Sequence, residues 1–180
     1  MHLSLRSCAR VAFCLVLMIP GVASSADAMI IWPEGWEVEA LPQPPPSEGQ
    51  LTVQIRQRAV KNDQDGTPTL VMELTMTQVE SGHQVNLEGV LLEMRKAVQK
   101  DFFQSGYQSV CNKIHETRLS RLPALETTCT ITQNGRHVLS QTLVAAVDGD
   151  KAYVLSYAGQ ADVYKASQEE IAAARNSLQL

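Results

Sequence analysis

Polar and apolar residues alternate along much of this chain, and the alternation predicts strands. Leu51 to Val60 places Leu51, Val53 and Ile55 on one face and Thr52, Gln54 and Arg56 on the other. Thr69 to Val79 repeats the pattern, with Leu70, Met72, Leu74 and Met76 inward and Glu73, Thr75 and Thr77 outward. A short strand over Trp36 to Ala40 precedes them, behind a Pro33-Glu34-Gly35 turn. A stiff proline-rich loop over Leu41 to Gln50 separates it from the next strand. Lys61 to Pro68 reads as a hairpin turn.

The period then changes. Leu87, Val90, Leu91, Met94, Val98 and Phe102 recur at three- and four-residue steps, predicting one long amphipathic helix. Asn86 is its N-cap and Gly106 its C-cap candidate. Four strands follow as a meander: Tyr107 to Leu119, Leu125 to Gln133, Arg136 to Val147 and Lys151 to Ala158. Asn134-Gly135 signals a type I′ turn between the second and third. The stretches 143–147 and 152–158 are apolar on nearly every residue, so their strands need cover on both faces. A C-terminal helix carrying Ile171, Ala174, Arg175 and Leu178 follows a Ser167-x-x-Glu170 capping box and supplies one cover.

The elements add up to an α+β fold. The expected form is an α/β/α sandwich whose antiparallel sheet has about six to seven strands. The long helix lies on one face and the C-terminal helix on the other.

The N-terminus has a different character. His2, Arg6 and Arg10 precede an apolar run, Val11 to Val22, which ends in small residues. This layout predicts a secretory signal peptide over 1–28, cleaved after Ala28 at the Ala26-Asp27-Ala28 site, with Ala23 and Ala26 as alternatives. The run is too short for a stable membrane anchor. Residues 29–180 then form a single domain destined for the periplasm.

Composition narrows the chemistry. The 180 residues carry 15 basic and 19 acidic side chains; losing Arg6, Arg10 and Asp27 with the leader leaves 13 and 18, a net charge of −5. With no basic tract, nucleic acid is disfavoured as a partner. Two of the four cysteines, Cys8 and Cys14, leave with the leader. Cys111 and Cys129 remain, in a compartment that favours disulfides. If the hairpin turns near Ser120, directly opposed residues have numbers summing to about 240, as these two do. The expected outcome is a cross-strand disulfide, which leaves no free thiolate for a Cys–His nucleophile.

The arrangement opens with Pro33-x-Gly35-Trp36, runs through strands, long helix, meander and C-terminal helix, and ends Ser177-Leu178. It resembles the PsbP-like superfamily, which includes small proteobacterial exported proteins of unknown function. The resemblance implies an α/β/α sandwich around an antiparallel sheet. It supplies no catalytic residues, because the superfamily shares no catalytic motif, and its members are mostly binding or assembly accessories.

Of the histidines beyond the leader, His83, His115 and His137, only His115-Glu116 begins like a zinc protease motif, and the second histidine is missing. The expectation is therefore a protein that is not an enzyme and needs no cofactor. It is a non-catalytic periplasmic accessory or binding protein. Its partner is an unknown protein or small ligand of the cell envelope, without stable membrane insertion. The alternative is a copper-type metal-binding protein using Met72, Met76 and His115, since thioethers suit Cu(I).

Overall fold

The computed structural model describes residues 28–42, 52–80, 82 and 84–179. Residues 1–27, within the stretch expected to be a leader, most of the proline-rich segment and His83 lie outside the described residues.

Among the described residues, eight strands form one antiparallel sheet. In chain order the elements are β1 (Glu37–Ala40), β2 (Thr52–Asn62), β3 (Pro68–Gln78), α1 (Leu87–Gln104), β4 (Gln108–Cys111), β5 (His115–Leu119), β6 (Leu122–Gln133), β7 (Arg136–Asp148), β8 (Lys151–Gln160), α2 (Ala161–Ala166) and α3 (Gln168–Ser177). The sheet order is β1-β2-β3-β8-β7-β6-β4, with β5 also on β6. The sheet therefore exceeds the six to seven strands expected.

The extra strand comes from the first arm of the disulfide hairpin, which the alternation reads as continuous. Its turn is only Ser120-Arg121, with Ser120 at φ 53°, and β5 pairs so that Leu119 faces Leu122 and His115 faces Glu126. That register differs by one residue from the register of β4, where Cys111 faces Cys129. The surplus residue is absorbed at 112–114, between the two paired stretches. Asn112 seals the gap: its Oδ1 accepts from the Thr128 N–H (2.8 Å) and the Thr127 hydroxyl (3.1 Å).

Strand alternation separates two apolar clusters. Leu143 and Ala145 of β7 pack with Leu91 of α1, joined by Leu87, Met94, Val98, Leu125 and Val154. Their neighbours Val144 and Ala146 point the other way. They join Leu70, Met72, Leu74, Met76, Leu155 and Tyr157 in the main core, which Ile171 and Ala174 of α3 and Leu178 complete. All four of these β7 residues are at most 1% exposed, as the doubly apolar run requires. Met72 and Met76 are equally buried, filling core space as unbranched side chains do.

The helix ends follow local rules with one departure. Asn86 Oδ1 accepts from the Gly89 N–H (3.0 Å). At the other end, with Gly106 at φ 81°, Tyr107 N–H donates to Phe102 O and Gly106 N–H to Phe103 O, a Schellman closure. The expected capping box at Ser167 does not form. The C-terminal helix is two helices hinged at Ser167, whose hydroxyl accepts from Lys61 Nζ (3.0 Å). Glu170 binds the same ammonium at 2.8 Å and 2.9 Å, so both capping groups face a cation instead of the helix N-terminus.

Candidate functional site

The disulfide hairpin, the β6–β7 hairpin and the start of α2 meet at one end of the sheet. Here Asn134 (φ 50°) and Gly135 (φ 75°) make the expected tight turn with positive φ at both positions. The turn holds Gln133 directly opposite Arg136. A register shift between Ile131 and Thr132 then sets His137 opposite Thr132. Gln160 ends β8 opposite Leu139, and the chain passes straight into α2 with Asp162 in its first turn.

These side chains line an open cleft of about 390 Å³, together with Tyr107. His137 Nε2 lies 3.0 Å from the Leu139 carbonyl oxygen and 2.9 Å from Ser140 Oγ. A carbonyl can only accept, so Nε2 is the donor in that contact. The Tyr107 ring is held edge-on by Phe102, centroids 6.0 Å apart. The cleft thus combines a guanidinium, a carboxylate, two amides, an imidazole and a phenol. Such a set suits recognition of a polar ligand.

A second opening of about 510 Å³ lies where the first turn of α1 faces the β5–β6 hairpin, lined by Leu87, Glu116, Thr117, Arg118, Pro123 and Leu125. Behind it sits a polar cluster. Arg175 of α3 donates to Glu126 Oε2 (2.6 Å), Thr117 Oγ1 (2.6 Å) and the Arg118 carbonyl. Both charged side chains are mostly buried, 14% and 15% exposed. Beneath α2, the hydroxyls of Thr128, Thr142 and Tyr164 form a chain at 2.6 Å and 2.5 Å. Burial pushes the Tyr164 phenol above its ordinary pKa, against the pull of its hydrogen bond to Thr142. Burial also raises Tyr157, which stacks on Tyr164 at 5.9 Å.

The family model described as a domain of unknown function (DUF4946) matches residues 27–180. The chain belongs to this family. No curated protein matches it. Among solved structures, this DUF4946 chain is similar to cyanobacterial PsbP (CyanoP) from Synechocystis sp. PCC 6803. The TM-score is 0.59 at 10% identity, covering 85% of this chain and 86% of that one. It is also similar, with a TM-score of 0.48 and 14% identity over 84% and 82%, to LpqN of Mycobacterium tuberculosis, described as involved in cell envelope biogenesis. At such identities the likeness is one of fold, and the fold is PsbP-like.

The structure sorts the residues singled out from the sequence of this DUF4946 chain. Cys111 and Cys129 are disulfide-bonded, with Cα atoms 3.8 Å apart. The next pair, Asn112 and Thr128, carries a ladder hydrogen bond from Asn112 N to Thr128 O (2.9 Å). The cysteines therefore occupy the neighbouring non-hydrogen-bonded position, where opposed residues come closest.

The copper-type set is not brought together. Met72 and Met76 are sealed in the core from β3, while His115 sits on β5. The two strands are four steps apart across the sheet, about 19 Å. His115 instead places Nδ1 3.2 Å from the Lys113 carbonyl oxygen and Nε2 3.9 Å from Glu126.

Sequence reasoning missed Gln133, Arg136, Gln160 and Asp162 as cleft residues: the meander was legible, but the direct passage of β8 into α2 that brings Gln160 and Asp162 to this end of the sheet was not. A usable signal did exist for the Arg175 cluster. An arginine on the buried stripe of the last helix demands a buried counter-charge.

Proposed function

We propose that this protein is a non-catalytic accessory or binding protein, exported to the periplasm. In this reading it holds a polar envelope ligand or partner group in the cleft of Tyr107, Gln133, Arg136, His137, Gln160 and Asp162. The observation that carries the reading is the Cys111–Cys129 disulfide. It ties up the two cysteines beyond the leader, so neither can serve as a thiolate nucleophile, and it is the kind of bond that persists in an oxidising compartment. The cleft supports the binding half, since its guanidinium and carboxylate offer charge-assisted hydrogen bonds to a polar group.

The test is native mass spectrometry of protein recovered from the periplasm of its own cells, run with and without Arg136→Ala. A co-purifying mass that the variant loses is the expected result. Two results argue against the reading: free thiols in the freshly isolated protein, or turnover in a broad esterase and peptidase screen.

A further inference from the structure

Resting on the cleft reading above, and naming its ligand class, we propose that the cleft is one half of a two-part groove for an oligosaccharide of the cell envelope. Phe103 and Tyr107 form its stacking platform.

Phe103 is 78% exposed, more than any other large apolar side chain among the described residues. The inward stripe of α1 runs through Leu91, Met94 and Val98, and Phe103 has no place on it. A single exposed apolar residue is ordinary, but this one is not isolated. With Gln99, Lys100, Tyr107 and Gln108 it lines an opening of about 450 Å³ between the last turns of α1 and β4. Tyr107 also lines the 390 Å³ cleft, so the two openings share its ring as a wall.

The polar residues then decide the class. Gln99 and Gln108 in one opening and Gln133 and Gln160 in the other bring four primary amides to the groove. An amide presents a donor and an acceptor side by side, the complement of sugar hydroxyls, which both donate and accept. Gln99 is held in place by donating through Nε2 to Ser109 O (3.2 Å). The side-chain amides of Gln108, Gln133 and Gln160 have no hydrogen-bond partner among the described residues.

Arg136 and Asp162 line the cleft with opposite charges that cancel, and each can engage two adjacent hydroxyls with charge-assisted hydrogen bonds. An anion would call for a cleft of net positive charge. An extended peptide would add to a strand edge. Neither makes use of an exposed ring. One face of a pyranose does, because its C–H groups settle on the negative face of an aromatic side chain.

The test is titration calorimetry of the disulfide-intact protein with monomers and short oligomers of glucose, mannose, galactose and N-acetylglucosamine. At least one series should bind, with affinity rising from monomer to trimer as the second opening fills. Phe103→Ala should weaken the trimer about tenfold and leave the melting temperature unchanged, since the core does not use this ring. Oligomer binding unmoved by Phe103→Ala overturns the platform. Failure of every series overturns the sugar class, as does binding of free amino acids or dipeptides in place of sugars. The class and the cleft fail separately. A co-purifying mass that Arg136→Ala abolishes, with no saccharide bound, discards the sugar and keeps the cleft.

Discussion

At one edge of the sheet, β1 pairs with β2 over only four residues, all of them exposed. At the other, β4 and β5 share β6 and are bolted to it by a disulfide, by Asn112 and, through Gln99 Nε2 on Ser109 O (3.2 Å), by α1. Both edges must resist fraying and pairing with other chains. The β1 edge does so with glutamates, Glu37 and Glu39, and with an anchor set just before the strand. There Trp36 is buried, its indole N–H donates to Glu170 (3.1 Å), and Lys61 Nζ lies 5.9 Å from its ring. The β4–β5 edge anchors from within, by a covalent bond across the ladder. A short edge strand that brings little to the core is thus held either by an apolar plug beside it or by a cross-link inside it. The plug concentrates stability in one side chain, whereas the cross-link acts largely on the unfolded chain.

That contrast can be broken one element at a time. Trp36→Ala should have the largest effect, about 4 kcal/mol off the unfolding free energy from chemical denaturation, because it empties a core site. The loss should appear with the disulfide intact. Next is the double change Cys111→Ser and Cys129→Ser. It opens a loop of 17 intervening residues and should cost about 3 kcal/mol. Adding reductant to the unmodified protein should reproduce the loss, and a midpoint unmoved by reductant would mean that the cross-link does not hold this edge. Arg175→Ala should come third, about 2 kcal/mol, by leaving the mostly buried Glu126 without its principal hydrogen-bond partner. Arg175→Lys should recover only part of this, since an ammonium cannot reach Glu126, Thr117 and the Arg118 carbonyl together.

The smallest effect concerns pH at the plugged edge. The Lys61 ammonium, hydrogen-bonded to Glu170, holds its carboxyl below the usual value; burial opposes this and the Trp36 indole N–H adds to it. A folded-state pKa below the unfolded one gives stability that is present above the unfolded value, about 4.3, and is lost as pH falls through the folded value. Glu170→Gln should flatten the acid limb of the stability curve between those values and leave the neutral region changed by a fraction of a kcal/mol. An acid limb identical to the parent's would show that the anchor is not electrostatic.

Much of the architecture was readable in advance, because local signals carried it. The alternation of Leu70 to Met76, the 3.6-residue period of Leu87 to Val98, Asn134-Gly135 and Gly106 all have their structural counterparts. Even the pairing of Cys111 with Cys129 followed from arithmetic about a turn. It held although the turn centre lies half a residue further on, because 112–114 absorbs the difference. The split of that arm into β4 and β5 was not legible: Asn112 looks like any polar strand residue until Thr127 and Thr128 are seen to satisfy it. The capping box failed for a similar reason, since Lys61 arrives from 106 residues away to take Ser167. The cleft also needed the β8–α2 joint, where Gln160 passes straight into Ala161, and no local pattern encodes it.

The bridge between Met29 and Gln179 sets the two ends of the described domain side by side. A few-residue linker across them would close the backbone into a ring. The ring could then be reopened at the exposed Asp63–Gly66 turn, where Asp63 Oδ1 already organises the chain by accepting from the Asp65 and Thr67 N–H groups. Such a circular permutant would carry the same sheet with a new order of synthesis, β3 first and β2 last.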